Sequence, residues 1–265
     1  PNNFGIYMRK HRLRNDILNV KINKETFKVK YKRNFYGFRG DEISDISKIK
    51  YVFLGGSTGN EKFLPENLTI VQQINSNFKN INSDIYIFNA SVDGKTAKGY
   101  TNDFKFWFPK LRNFNPKYFL VYTGINDTVV NQSGKYDMDY DYNIFFKIRD
   151  YIANCSITAE LLKMLKWKYF INVSLSYSFD DTDNLYQNFQ YIDYSKANKI
   201  HNLQKLKKKY QNLKERYEKR LSNLFFEIQK KNSEIIFITQ INYNGLENEK
   251  LYLLNEILKE FSEKN

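Results

Sequence analysis

Residues Tyr51–Asn60 read YVFLGGSTGN: four apolar or aromatic residues run straight into two glycines, a serine and a threonine. Such a run reads as a short strand buried on both faces, and the glycines close it in a tight polar turn. A strand needs no hydroxyl at its tip in order to stop, which makes Ser57 the first candidate for chemistry. Two further runs end in a similar way. Ile85–Phe88 is followed by Asn89-Ala90-Ser91-Val92-Asp93-Gly94, and Tyr118–Val121 leads to Thr123-Gly124-Ile125-Asn126-Asp127. A fourth run, EIIFIT at Glu234–Thr239, completes the set.

Segments with helical spacing separate these runs. Pro65–Phe78 carries Leu68, Val71, Ile74 and Phe78, with Pro65 suited to a first turn. Thr101–Arg112 is helix-like, residues 143–168 form one or two amphipathic helices, and Leu246–Phe261 is a last helix. Lys196–Arg220 is a long basic helix, and Asn172–Asp193 is a Tyr- and Asp-rich surface excursion. Apolar strands alternating with helices imply an α/β fold, a three-layer α/β/α sandwich around a mostly parallel sheet. Ahead of it, Asp16–Arg33 alternates apolar and polar residues and reads as a β-hairpin with one wet face. Residues 1–46 are therefore an N-terminal extension with the hairpin and a GFRG loop. Residues 47–265 are the main domain, with 128–195 as a helical and loop insertion.

In an open α/β sheet, ligands bind beyond the carboxyl ends of the strands. Three small, polar, glycine-bearing exits on that edge suggest acyl transfer. A serine nucleophile needs donors aimed at the oxygen that becomes negative in the tetrahedral intermediate. The Ser57 N–H, the Gly94 N–H and the Asn126 side-chain amide would make such a set.

The three exits resemble blocks I, II and III of the SGNH (GDSL-type) hydrolases. Ser57 matches the nucleophile, Gly94 the block II glycine, and Gly124-x-Asn126-Asp127 the GxND block. The approach FNPKYFLVYTGIND is similar to the family's run into block III. The likeness spans about residues 34–131 and resumes at IIFITQ. It implies an esterase or acyl hydrolase with a sheet of five strands in order 2-1-3-4-5. Two positions depart from the pattern. Gly56 stands where block I usually has Asp. The late Asp-x-x-His block that carries the family's base is not matched, because Met8 precedes His11 and Asn198 precedes His201 by three residues. Each histidine reads as a surface residue. The fifth strand and the Asp-x-x-His loop are expected after Asn265, so this piece would carry the nucleophile and the oxyanion donors without the base. The fourth strand would then be an apolar edge, prone to aggregation unless paired.

Composition bounds the rest. The chain has 265 residues, enough for a sizeable core, and a formal net charge of +13 that is concentrated in the Lys196–Arg220 helix. A charged helix face is usually solvated, and no nucleic-acid partner is expected. Cys155 is the only cysteine, so no intrachain disulfide forms. No apolar run approaches the ~20 residues of a membrane span. The chain begins PNNFG without Met and reads as a piece of a longer protein, which leaves room for an anchor or export signal outside it. GGSTG lacks the Lys-Ser/Thr of a phosphate loop, and Tyr136–Tyr142 lacks the turn glycine and late Glu of a calcium loop. Arg39 in GFRG either holds a substrate anion or ties its loop to the sheet, and the second is favoured. No cofactor and no metal are expected. The expected partner is a small-molecule or carbohydrate ester. The competing readings are an acyltransferase and a non-catalytic glycan- or lipid-binding module. Localisation and oligomeric state are left open.

Overall fold

The computed structural model describes residues 14–22, 25–81, 83–129, 174–179, 201–241 and 248–265. The alternating N-terminal segment folds as the expected hairpin. Strand β1 (Arg14–Ile22) pairs antiparallel with β2 (Glu25–Arg33), from Arg14 opposite Arg33 to Ile22 opposite Glu25. Its buried face carries Leu18, Val20, Val29 and Tyr31, with Phe63 packed against them. One finding departs from the expected surface excursion: Ser174–Phe179 (β6) is a strand that pairs parallel with β1, making a three-stranded sheet in order β2-β1-β6. Its SLSYSF sequence alternates strictly, the period of a strand with two unlike faces.

The four apolar runs form the second sheet. These are β3 (Tyr51–Gly55), β4 (Ile87–Asn89), β5 (Tyr118–Tyr122) and β7 (Glu234–Ile238), in order β4-β3-β5-β7 and parallel throughout. In terms of the runs this is 2-1-3-4. Side-chain alternation sorts the layers. Val52, Leu54, Phe119 and Val121 point into a core with Tyr100, Phe104, Trp107, Leu224 and Ile228. Phe53 and Leu120 point the other way, to Val71 and Ile74. Helices α3 (Ala97–Phe106) and α5 (Gln211–Gln229) cover the first face, and α2 (Ile70–Asn80) covers the second. The helix α6 (Glu249–Lys264) packs on α5 and on Phe237 through Leu253, Leu254 and Ile257. The molecule is thus a three-layer α/β/α fold with an N-terminal hairpin.

Helix boundaries follow local chemistry. The segment after Pro65 splits: Glu66–Leu68 is a 3₁₀ turn, and α2 starts only after Thr69, whose hydroxyl caps the Gln72 N–H. Helix α3 begins earlier than its apolar spacing suggested, because Thr96 caps the Lys98 N–H. The basic helix is two helices, α4 (Leu203–Lys209) and α5, broken at Tyr210. The amphipathic stretch 143–168, the acidic stretch 136–142, Asp180, Asp181, Asp183, His11 and Cys155 lie outside the described residues. Among the described residues no helix is long and apolar enough to cross a membrane.

The hairpin is joined to the main sheet by buried polar bonds. The Arg33 side chain is almost fully enclosed. Its Nε donates to the Tyr31 hydroxyl at 2.8 Å, Nη1 to the Gly37 carbonyl at 2.5 Å, and Nη2 to Asn60 Oδ1 at 2.9 Å and to the Ser91 carbonyl. Trp107 Nε1 donates to the Tyr36 carbonyl at 2.8 Å, which hooks the following loop to the core. Removing the guanidinium leaves several buried acceptors without a donor, at about 1–3 kcal/mol each. Arg33→Met is expected to cost at least ~3 kcal/mol, read as a lowered urea midpoint with an unchanged slope.

Candidate active site

All four parallel strands deliver their carboxyl ends to one edge. After β3 the chain turns at Gly56 into a single helical turn, α1 (Ser57–Asn60). Ser57 occupies the first position of this turn and is exposed. The first N–H groups of a helical turn have no carbonyl partner within it, and the Ser57 N–H is one of these. Gly55 and Gly59 let α1 close on the second exit. A Cβ on either would come within 2.6 Å of Ser91 Oγ.

The second exit runs on beside β3: the Ala90 N–H donates to the Phe53 carbonyl and the Val92 N–H to the Gly55 carbonyl. Asn89 Nδ2 donates to the Gly59 carbonyl at 2.9 Å, and Asn60 Nδ2 to Asp93 Oδ1 at 2.8 Å. Gly94 then turns with φ of +78°, a left-handed conformation that glycine adopts without a Cβ penalty. The next residue, Lys95, sends its ammonium inward to both oxygens of Asp103, at 2.5 Å each. The pair is enclosed, and Lys95 Nζ lies 5.2 Å from the centre of the Trp107 ring.

The third exit supplies the link. Asn126 Nδ2 donates to the Lys95 carbonyl at 2.7 Å, and a Cβ on Gly56 would lie 2.6 Å from the same Nδ2. Asn126 therefore touches the residue before Ser57 and the residue after Gly94. Its amide carries two hydrogens, and Lys95 accepts one of them. The approach accounts for the glycine at 56, because any side chain there would occupy the place of the Asn126 amide.

Asp127 faces the other way. It is buried and accepts from the Ala97 N–H at 3.1 Å, the Thr123 hydroxyl at 3.3 Å and Arg220 Nη1 at 2.9 Å. Burial, and then the Asp127 charge, push the Tyr217 phenol well above its ordinary range, so it stays protonated.

The motif reading missed Gln240. It follows β7, is buried, and accepts from the Ile125 N–H at 2.5 Å while donating to Thr58 Oγ1 at 3.2 Å and to the Tyr122 carbonyl at 3.3 Å. Its own backbone is clasped by the Asn255 side chain at 3.1 and 2.8 Å. One buried amide thus ties the first exit to the third. The strand-exit rule pointed to it, since it stands at the end of IIFITQ.

Arg39 has the structural role. It donates to Glu66 at 2.9 Å, to the Leu64 carbonyl at 2.8 Å and to the Asn60 carbonyl. His201 packs beside Tyr252, with ring centroids 5.0 Å apart. Among the described residues no group of three or more His, Cys, Asp or Glu is placed to hold a metal ion.

No protein-family model and no curated protein matches the chain. The fold is similar to solved structures of two mutants of the esterase AlinE4, with TM-scores of 0.40 and 0.39. Both are 12% identical to it, over 81% of this chain and 72% of theirs. It is also similar to the psychrotrophic esterase EstA from Pseudoalteromonas sp., in a structure inhibited by monoethylphosphonate. That TM-score is 0.32, at 13% identity over 81% of this chain and 97% of that one.

Gly56→Ala is expected to break the Asn126–Lys95 hydrogen bond and to cost about 1–3 kcal/mol, visible in a crystal structure and in thermal unfolding. Glu61, just past α1, accepts from the Ile70 N–H at 2.7 Å, yet burial raises its carboxyl pKa. The folded chain then binds that proton more tightly than the unfolded chain. Stability from this group is complete below the ordinary value of 4.5 and is lost as pH rises through the raised one. Glu61→Gln is expected to be more stable than the parent at pH 7, with the gap closing below about pH 4.5 in unfolding titrations.

Proposed function

We propose that the chain is a serine esterase or acyl hydrolase in which Ser57 is the nucleophile. Ser57 Oγ attacks the ester carbonyl carbon and forms a new C–O bond while a histidine base takes its proton. The SGNH resemblance assigns that role to the histidine of an Asp-x-x-His block, a pattern that neither His11 nor His201 matches. The carbonyl oxygen becomes an oxyanion, held by the Ser57 N–H, the Gly94 N–H and the second hydrogen of the Asn126 amide. Collapse of the intermediate expels the alcohol, which recovers the proton, and leaves an acyl-serine. Water then repeats the sequence and releases the acid.

The observation that carries this reading is the position of Asn126, against Gly56 and bonded to the Lys95 carbonyl. It brings the residues flanking Ser57 and Gly94 to one amide. The substrate class proposed is a small-molecule or carbohydrate ester. An acyltransferase, in which a sugar hydroxyl replaces water in the second step, uses the same groups.

The test uses the full-length protein. A fluorophosphonate probe is expected to modify Ser57, identified by peptide mass spectrometry, and Ser57→Ala to abolish both labelling and turnover. Asn126→Ala is expected to lower kcat by about 10²–10³ with little change in KM. A protein that stays unlabelled and keeps its ligand after Ser57→Ala is a binding module instead.

A further inference from the structure

The turn that carries Asn126 also forms one wall of a cleft of about 470 Å³, whose lining includes Thr128, Lys208, Lys209, Tyr210, Gln211 and Lys250. Thr128 ends the 3₁₀ turn that Asn126 begins, and a 3₁₀ turn rises about 2 Å per residue. The cleft therefore begins two residues along the chain from the candidate oxyanion donor.

Among the described residues its lining contains three lysines and no carboxylate. Glu249 lies outside it and fixes one wall, accepting from Lys209 Nζ at 2.5 Å and from the Tyr210 hydroxyl at 2.8 Å. That neutralises Lys209. Lys208 and Lys250 make no ion pair with a carboxylate among the described residues, and Lys250 Nζ stands 5.8 Å from the centre of the Tyr210 ring. The first turn of α5 starts in the same wall, with no acidic residue and no side-chain cap from Tyr210. The carboxyl end of α4 meets that turn at Tyr210, so the two helix ends offset each other and the lysines set the field of the cleft. Two ammonium groups in one concave site, with no counter-charge for them among the described residues, favour an anion over a neutral ligand.

We propose that this cleft holds an oxyanion group of the substrate, carried a few bonds from the ester carbonyl, so that the chain prefers anionic esters to neutral ones. The assignment rests on the reading of Ser57 as nucleophile for its catalytic meaning; the charge of the cleft does not.

The test compares 4-nitrophenyl hemisuccinate, which ends in a carboxylate, with the neutral 4-nitrophenyl butyrate on the full-length protein at low salt. kcat/KM is expected to favour the hemisuccinate by about tenfold, through KM, and 0.5 M NaCl to erase the gap. Lys208→Glu/Lys250→Glu is expected to raise KM for the hemisuccinate by about tenfold and so to remove the preference. A matched control on distant surface lysines, Lys48→Glu/Lys79→Glu, is expected to keep it. A preference that survives Lys208→Glu/Lys250→Glu, or that falls equally in the control, overturns the proposal. Calorimetric titration with succinate and, separately, with inorganic phosphate identifies which oxyanion is held. If neither ester is cut, the esterase reading fails and this titration decides for the cleft. Salt-sensitive binding lost in Lys208→Glu/Lys250→Glu upholds it, and no binding of either anion overturns it.

Discussion

The site depends on an atom that is not there. A Cβ at position 56 would fall 2.6 Å from the Asn126 amide nitrogen, well inside contact distance. With glycine in place, three chain segments from separate strands meet at one amide, and the Asn126–Lys95 bond closes the arrangement. The turn at 56, the left-handed step at Gly94 and the 3₁₀ turn at Asn126 are each local. Only the parallel strand order brings them to the same edge, which is why the sheet and the candidate chemistry cannot be separated.

Around that point the protein places charge where most cores place hydrocarbon. Lys95 meets Asp103 beneath Trp107, Asp127 meets Arg220 from α5, and the Arg33 and Arg39 guanidinium groups fan out into carbonyls and Asn60. Buried ion pairs seldom add much net stability over well-packed apolar side chains, because desolvation offsets their attraction. They do penalise any geometry that leaves one partner alone. Each of these groups fastens an exit loop, or the turn beside it, to a helix or to the hairpin. The N-terminal hairpin is therefore part of the frame that holds α1 and the Asn89–Gly94 exit, through Arg33 on Asn60 and Ser91.

Much of this was legible in the residues, for physical reasons. Buried parallel strands must be short and apolar, so YVFL, YFLV and EIIFI stand out against a polar chain, and their exits mark the ligand edge. The Asp16–Arg33 alternation exposed the hairpin because one face is wet. What escaped was set by context. Helix starts were misplaced where a single hydroxyl, Thr69 or Thr96, outweighed apolar spacing. SLSYSF sits among Tyr- and Asp-rich residues that mask its period, and it becomes a strand with β1 as partner. The Gln240–Thr58 and Asp127–Arg220 pairs join residues remote in sequence, and no local pattern encodes such a partner. Arg39 went the other way: with Glu66, Leu64 and Asn60 taking its donors, it serves the GFRG loop as expected.

Gln240 also sets an order of events in folding. Its amide joins residues 182 positions apart at Thr58 and 115 apart at Ile125, while Arg220 reaches Asp127 across 93. Contacts that close such long loops form late and slowly, after local helices and neighbouring strands. During synthesis the Ser57 turn leaves the ribosome long before the residue that clasps it. The nascent chain thus carries the Ser57 turn unfastened until β7 and the Gln240 that follows it have emerged and docked.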